Sequence, residues 1–398
     1  MRIGPHGAHL TYCSNIHPGE SWAEVRANIG RYFPAVRDRV APGELFGIGL
    51  RLSARAAREL NSGDALQEFR EFLTRNRLYV FTINGFPYGT FHGVRVKEEA
   101  YLPDWRDKER LRYTDELAEL LVRLLPDGVD GSISTVPGAF KPAMRPVGDV
   151  EQITDNILRH VATLVDIKRR SGRHIALAIE PEPHCFLETI AESVQYFRQH
   201  LFSDSAARRL GELARMDAPA ADAALHAHVG LCLDLCHAAV EFEDPAGCIR
   251  TLQEAGIRVT KLQISAGLRL PQLTADAVTA LKQFDDPVYL HQVVETGPQG
   301  VRRYADLPEA LATTSGTADG REWRVHCHVP IFMEDLGAFG STRAFIQEVL
   351  DIHRSHPVSA HLEVETYTWN VLPERLRAGG MEQAVARELI WVKDRLSA

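Results

Sequence analysis

What most constrains this chain is a repeated alternation: short apolar, β-branched runs separated by longer stretches with helical periodicity. Strands joined by helices pair in parallel, because a parallel neighbour needs a crossover long enough to hold a helix. Eight runs fit the pattern: AHLTYC from Ala8, LFGIGLRLS from Leu45, LYVFTINGF from Leu78, DGSISTV from Asp130, IALAIEPE from Ile175, GLCLDLCH from Gly230, VTKLQIS from Val259 and AHLEVETYTW from Ala360. Helix signals lie between them. SWAE reads as a capping box, with Ser21 at the cap and Glu24 three residues on. Val150, Ile153, Ile157, Val161 and Leu164 share one helical face that stops at Gly172. A last helix, from about Met381 to Leu396, would close the structure.

Eight such units predict an α/β chain folded as a (β/α)8 barrel, a single domain over residues 1–398. The competing architecture, a doubly wound sheet, would carry a glycine-rich strand-to-helix turn. FGIGLRL has only two glycines and the wrong continuation, and the chain shows no P-loop, H-E-x-x-H helix or G-x-S-x-G elbow. One region exceeds the pattern. The stretch between VTKLQIS and AHLEVETYTW holds two further strand candidates, PVYLHQVVE and EWRVHCHVPIF. We read residues 266–330 as an insertion at the barrel mouth, an antiparallel pair at its centre; that one of the two is a true barrel strand is the alternative. The aromatic and charged connection from Phe86 to Tyr113 is a candidate lid.

The net charge of −8, with both signs interleaved, leaves no basic footprint for nucleic acid. The first residues lack the continuous apolar core of a signal peptide, and no stretch reads as a membrane span. Six cysteines without a C-x-x-C pair read as reduced, buried thiols, so the cytoplasm is the expected compartment.

Polar residues interrupt the strands in a telling place. A carboxylate in a strand buried on both sides carries a large desolvation cost unless it is paired or holds a cation. IALAIEPEP carries Glu180 and Glu182, GLCLDLCHAAV carries Asp234 and then His237, and AHLEVETYTW carries His361, Glu363 and Glu365. Carboxylates and imidazole arriving from three strand ends suit a divalent cation. An ion pair to arginine could instead explain any one glutamate, and His237 could merely cap a helix. Asn84 and Thr135 end the third and fourth strands, and either could bind a substrate hydroxyl or cap a helix. Trp369 could stack on a sugar ring or be core. His9, Asn15 and His17 follow the first strand, His17 more simply as a loop residue.

LCLDLCHA resembles the D-x-x-H on the sixth strand of xylose-isomerase-like sugar isomerases and epimerases, and of endonuclease IV relatives. The resemblance implies metal ligands at Glu180, Asp234 and Glu365, or Glu363 in place of Glu365. In the epimerases the seventh strand supplies a histidine ligand and, six residues later, a substrate-gripping arginine; the aligned positions here are Gln263 and Arg269. Glutamine for histidine tilts the expected metal from Zn towards Mg or Mn, or leaves His326 or His328 to complete the shell. HLTYCSNIHPGESW, YLHQVVE, WRVHCHVPIF and HLEVETYTWNVLP are further similar to metabolite traffic proteins of the EboE type, which implies a part in making or moving a secondary metabolite.

These readings give a divalent-metal-dependent isomerase or epimerase with Glu180 and Glu365 exchanging a proton. Glu182, His237, Glu363, Asn84, Trp369 and Arg269 would surround a polyhydroxylated small molecule: a sugar, sugar phosphate or cyclitol. A non-catalytic metabolite binder and a metal-dependent hydrolase or endonuclease are the alternatives. The expected partners are that small molecule and, at most, further copies of the chain.

Overall fold

A computed structural model describes residues 1–89, 96–285, 288–314, 320–367 and 380–397. In chain order its strands are β1 (Arg2–Ile3), β2 (Ala8–Tyr12), β3 (Phe46–Arg51), β4 (Leu78–Asn84), β5 (Gly131–Thr135), β6 (Ile175–Ile179), β7 (Val229–Asp234), β8 (Val259–Ile264), β9 (Ala266–Leu270), β10 (Val293–Gly297), β11 (Gly300–Tyr304), β12 (Glu322–Val329), β13 (Gly340–Ser341) and β14 (His361–Val364). Eight of them run parallel in the order β2-β14-β8-β7-β6-β5-β4-β3, with β1 antiparallel on β2 at one edge.

The remaining seam, β2 against β3, closes through a parallel bridge between Cys13 and Gly49. The Thr11 hydroxyl stitches it, donating to the Gly47 carbonyl (2.8 Å) and accepting from the Gly49 amide (3.0 Å). Glycine is required there by close approach: a Cβ on Gly49 would stand 1.8 Å from Glu363 Oε2 and 2.6 Å from the Tyr12 carbonyl. With all eight strands paired around, no barrel edge is left unpaired.

Helices cover the outside. Trp22–Val40 opens on the expected capping box, Ser21 accepting from the Glu24 amide. Asp149–Ser171 buries Ile153, Ile157, Val161 and Leu164 and ends at a left-handed Gly172, while Val150 is only half-buried. The closing helix spans Met381–Ser397. No helix among the described residues is long and apolar enough to cross a membrane.

Between β8 and β14 the chain builds a second, five-stranded antiparallel sheet in the order β11-β10-β12-β9-β13. PVYLHQVVE and EWRVHCHVPIF supply β10 and β12, which pair antiparallel, Val293 opposite Val325. Neither is a barrel strand. A single residue, Ser265, separates β8 from β9, so the seventh barrel strand runs directly into this sheet. The ladder between β12 and β9 shifts register between Val325 and Val329, and the bulge carries His326, Cys327 and His328. Such bulges re-aim side chains at functional rims.

Candidate metal centre

Three barrel strands end at the carboxylates. β6 stops at Ile179 and β14 at Val364, so Glu180 and Glu365 are the first residues beyond their strands rather than parts of them. Pro181 cannot donate to a ladder and helps to end the first run. Asp234 closes β7 and caps the helix Leu235–Val240: its Oδ1 accepts from the amides of Cys236 (2.8 Å) and His237 (3.0 Å). His237 therefore sits in a helical first turn, not in the loop expected of it, and the D-x-x-H spacing brings cap and imidazole to one side.

Glu180, Asp234 and Glu365 converge, all buried, with one oxygen of each within 4.8 Å of the others. The Ser265 hydroxyl donates to Asp234 Oδ1 (2.7 Å), and Asn15 (2.6 Å) and Asn84 (3.2 Å) both donate to Glu365 Oε1. Glu180 Oε2 and Asp234 Oδ2 have no hydrogen-bond partner among the described residues. Burial first, and then Glu365 and Asp234, push the Glu180 carboxyl well above its ordinary range; burial and then Asp234 raise Glu365 to about 7. Three carboxylates this close, with orphaned oxygens on Glu180 and Asp234 and raised proton affinity on Glu180 and Glu365, are the donor set that a divalent cation would relieve.

Imidazoles bound the other side. The His237 Nδ1–H donates to the Pro181 carbonyl (2.9 Å) and the His328 Nδ1–H to the Glu365 carbonyl (2.9 Å), since a carbonyl only accepts. The Gln292 amide nitrogen donates to Tyr101 Oη, Glu182 Oε1 and the Pro183 carbonyl, which turns its oxygen towards the His326 Nδ1–H (2.8 Å). In the neutral rings each Nε2 then carries the lone pair. This is how outer hydrogen bonds orient imidazole for a cation. His237 and His326 face each other through Nε2 at 3.1 Å, a distance that requires a proton or a cation between two lone pairs. Burial opposes charge on His237, but Asp234 and Glu182 outweigh it and raise its pKa, whereas burial and then His237 drive His326 well down. Donor atoms of Asp234, His237 and His328 lie within 4.8 Å of one another, as do those of Glu182, His237 and His326.

The remaining residues singled out in the sequence divide clearly. Gln263, in register with Asp234 and Glu363, is buried with neither amide atom hydrogen-bonded among the described residues. Its side chain lies on the same strand face as Lys261, one layer nearer the mouth. Glu182 lines the cavity and accepts from Tyr101 (2.7 Å). Glu363 does not line it: below the site, its Oε1 pairs with Lys261 Nζ at 2.5 Å, both side chains fully buried. Arg269 is also elsewhere. Because β9 has already entered the second sheet, Arg269 pairs with Glu322 (2.8 Å) on β12, and it grips nothing at the mouth. Thr135 accepts from the Trp105 indole, and His17 stacks on Tyr32, so both are structural. His9 lies at the opposite end of β2, against Tyr79. Trp369 falls outside the described residues.

Sequence reasoning gave no site role to Asn15, Tyr101, Ser265 or Gln292, which orient the acids and imidazoles. Phe86, Tyr101, Tyr289 and Tyr367 wall a cavity with about 60 Å³ of room above the carboxylates. The connection from Phe86 to Tyr113 contributes two of these rings.

No family model matches the chain, and no curated protein matches it. Solved structures do. The IOLI protein, solved with a bound zinc atom, is 13% identical with a TM-score of 0.47, over 98% of this chain and 99% of that one. A xylose isomerase-like TIM barrel protein from Mycobacterium smegmatis in complex with magnesium is 12% identical with a TM-score of 0.48, over 98% and 97%. The probable 3-DHS dehydratase AsbF from Bacillus anthracis is 12% identical with a TM-score of 0.45, over 96% and 97%. The barrel assignment here rests on strand order and closure, not on these likenesses.

Proposed function

We propose that this chain is a divalent-metal-dependent isomerase or epimerase acting on a polyhydroxylated small molecule. The observation that carries the reading is the convergence of three buried carboxylates, Glu180, Asp234 and Glu365, at the C-terminal end of the barrel, the end where barrels of this kind do chemistry. These three would hold the cation, with His328, Gln263 and, from the far side, His326 as additional donors. The all-carboxylate core favours Mg or Mn, and the imidazoles extend the range to Zn. When bound, the cation would polarise a substrate carbonyl and steady the charge that develops on it.

The protein's own groups supply the proton transfer. Glu365, buried as the first residue beyond β14, would take a proton from the carbon beside a carbonyl. Asn15 and Asn84 fix its Oε1, so the carboxylate cannot swing away. Glu180 would return or accept the proton on the opposite face. His237, which lines the cavity, would contact a substrate oxygen, and Glu182, held by Tyr101 and Gln292, would accept from a hydroxyl. The substrate class is a sugar, sugar phosphate or cyclitol. Within that class we read the chain as a metabolite traffic protein of the EboE type, on the four segments quoted above.

The test is solvent deuterium exchange. Purified protein with Mg, Mn or Zn, incubated with candidate sugars and cyclitols in D2O, is expected to place deuterium at the carbon next to a carbonyl, and Glu365→Gln to abolish it. Tight binding of such compounds without any exchange would favour a non-catalytic binder on the same barrel.

A further inference from the structure

The opposite face of the barrel carries a second recess, and it has the wrong charge for this chain. The N-terminal ends of β2 to β5 and the connections leading into them enclose an open basin of about 680 Å³, in the range of small-molecule sites. Buried leucines, Leu73, Leu78, Leu124 and Leu125, form an apolar floor. Beside them His9 Nδ1 and the Tyr79 hydroxyl bond each other at 2.8 Å. Burial, followed by the positive charges of the N-terminus and Arg2, holds His9 down at about 4, so the floor is neutral at neutral pH. Leu45 stands 63% exposed at the rim.

Four exposed arginines, Arg2, Arg70, Arg77 and Arg123, ring this floor. Among the described residues none of the four forms an ion pair. Arg77 donates to the Gly43 carbonyl and Arg123 to Asn61 Oδ1 (2.8 Å). The two acids at the rim do not neutralise them: Asp127 is taken by Arg173 (2.6 Å), and Glu44 pairs with none of the four. In a chain of net charge −8, unpaired guanidiniums gathered over an apolar floor form a local field of the opposite sign.

We propose that this basin binds a small amphiphilic anion: a phosphate or carboxylate head between the guanidiniums, carried on an apolar body that covers the leucine floor. Planar guanidiniums match either head group with two parallel hydrogen bonds. The basin lies at the end of the barrel away from the carboxylates, so its ligand is an effector or a carried molecule and not the reacting substrate.

Octyl phosphate, kept below its micelle concentration, is a suitable probe by titration calorimetry, with octyl glucoside and inorganic phosphate as its two halves. One saturable site for octyl phosphate is expected. Arg2→Gln/Arg70→Gln should weaken it by about tenfold or more, and so should raised salt, because the head-group contacts are exposed. Neither half should bind comparably, and the melting temperature of the variant should match the parent, since neither guanidinium bonds another part of the fold among the described residues. Three results would overturn the proposal: no saturable heat with octyl phosphate, an affinity unchanged in the double variant, or octyl glucoside binding equally well. Binding confined to vesicles of anionic lipid would overturn it too, making this face a membrane-contact surface.

Discussion

Beneath the carboxylates, the Lys261–Glu363 pair offers a quantitative check on how the barrel tolerates its acids. Nζ stands 2.5 Å from Oε1 and also donates to the Ser134 hydroxyl at 3.2 Å, with neither side chain reaching solvent. Burial works against the ammonium, but the groups around it, Glu363 foremost and then Cys232, Cys13 and Glu180, together hold Lys261 above its usual range. Removing one partner strands the other charge in the interior, at a cost of about 3–5 kcal/mol. For a chain of 398 residues, an unfolding entropy of about 2.1 cal/mol/K per residue makes this a fall of roughly 4–6 °C in melting temperature. Lys261→Met and Glu363→Leu should each show that fall by calorimetry. The double variant should return to within about 2 °C of the parent, because two apolar groups of similar bulk replace the pair without leaving a charge behind. Additive losses in the double variant would refute the account of a self-contained buried pair.

Three further outcomes follow from the same geometry. Gly49→Ala puts a methyl on Glu363 Oε2 and the Tyr12 carbonyl at the β2–β3 seam and should lower the yield of folded protein, measured as soluble protein with cooperative melting. Glu388 is buried, accepts through Oε1 from Thr366 (2.8 Å) and the Ile331 amide (3.1 Å), and burial raises it to about 7. The native state therefore binds its proton more tightly than the unfolded chain, so stability is full below about pH 4.5 and is lost as pH rises through 7, by up to about 3 kcal/mol. Glu388→Gln keeps the accepting oxygen and should flatten that part of the stability–pH profile, and an unchanged profile would contradict the assignment. Arg269→Ala should leave metal content untouched and cost no more than about 1 kcal/mol in urea unfolding, since its partner Glu322 also holds Arg324 (2.9 Å).

The eight barrel strands were legible because each is a short apolar run buried on both faces, and observed starts fall within one residue of the expected ones. Their C-terminal ends were not. Glu180, Glu182 and Glu365 continue the alternation on paper, but β6 stops before Pro181 and β14 stops at Val364. In the second sheet β10 and β12 were visible, whereas β9 merges with β8 in the sequence, β11 is an exposed GVRRY, and β13 has two residues. Asp234, Glu180 and Glu365 stood out because carboxylates beside apolar runs demand a physical reason. Asn15 and Tyr101 lie in short 3-10 turns and Gln292 just before β10, where no apolar periodicity sets a site residue apart. Arg269 was misplaced by counting along a strand that changes sheets.

Metal content of the purified protein, set against that of Asp234→Asn, is the most direct test of the centre. The substitution keeps Oδ1 as the cap for Cys236 and His237 but removes the charge on the oxygen without a partner. Elemental analysis after dialysis against Mg, Mn and Zn should find about one equivalent of a divalent cation in the parent and almost none in the variant, whose melting temperature without metal equals or exceeds the parent's, because one of three crowded charges is gone. A parent that holds no cation under any of these conditions, or a variant that retains the parent's full complement, would contradict the account.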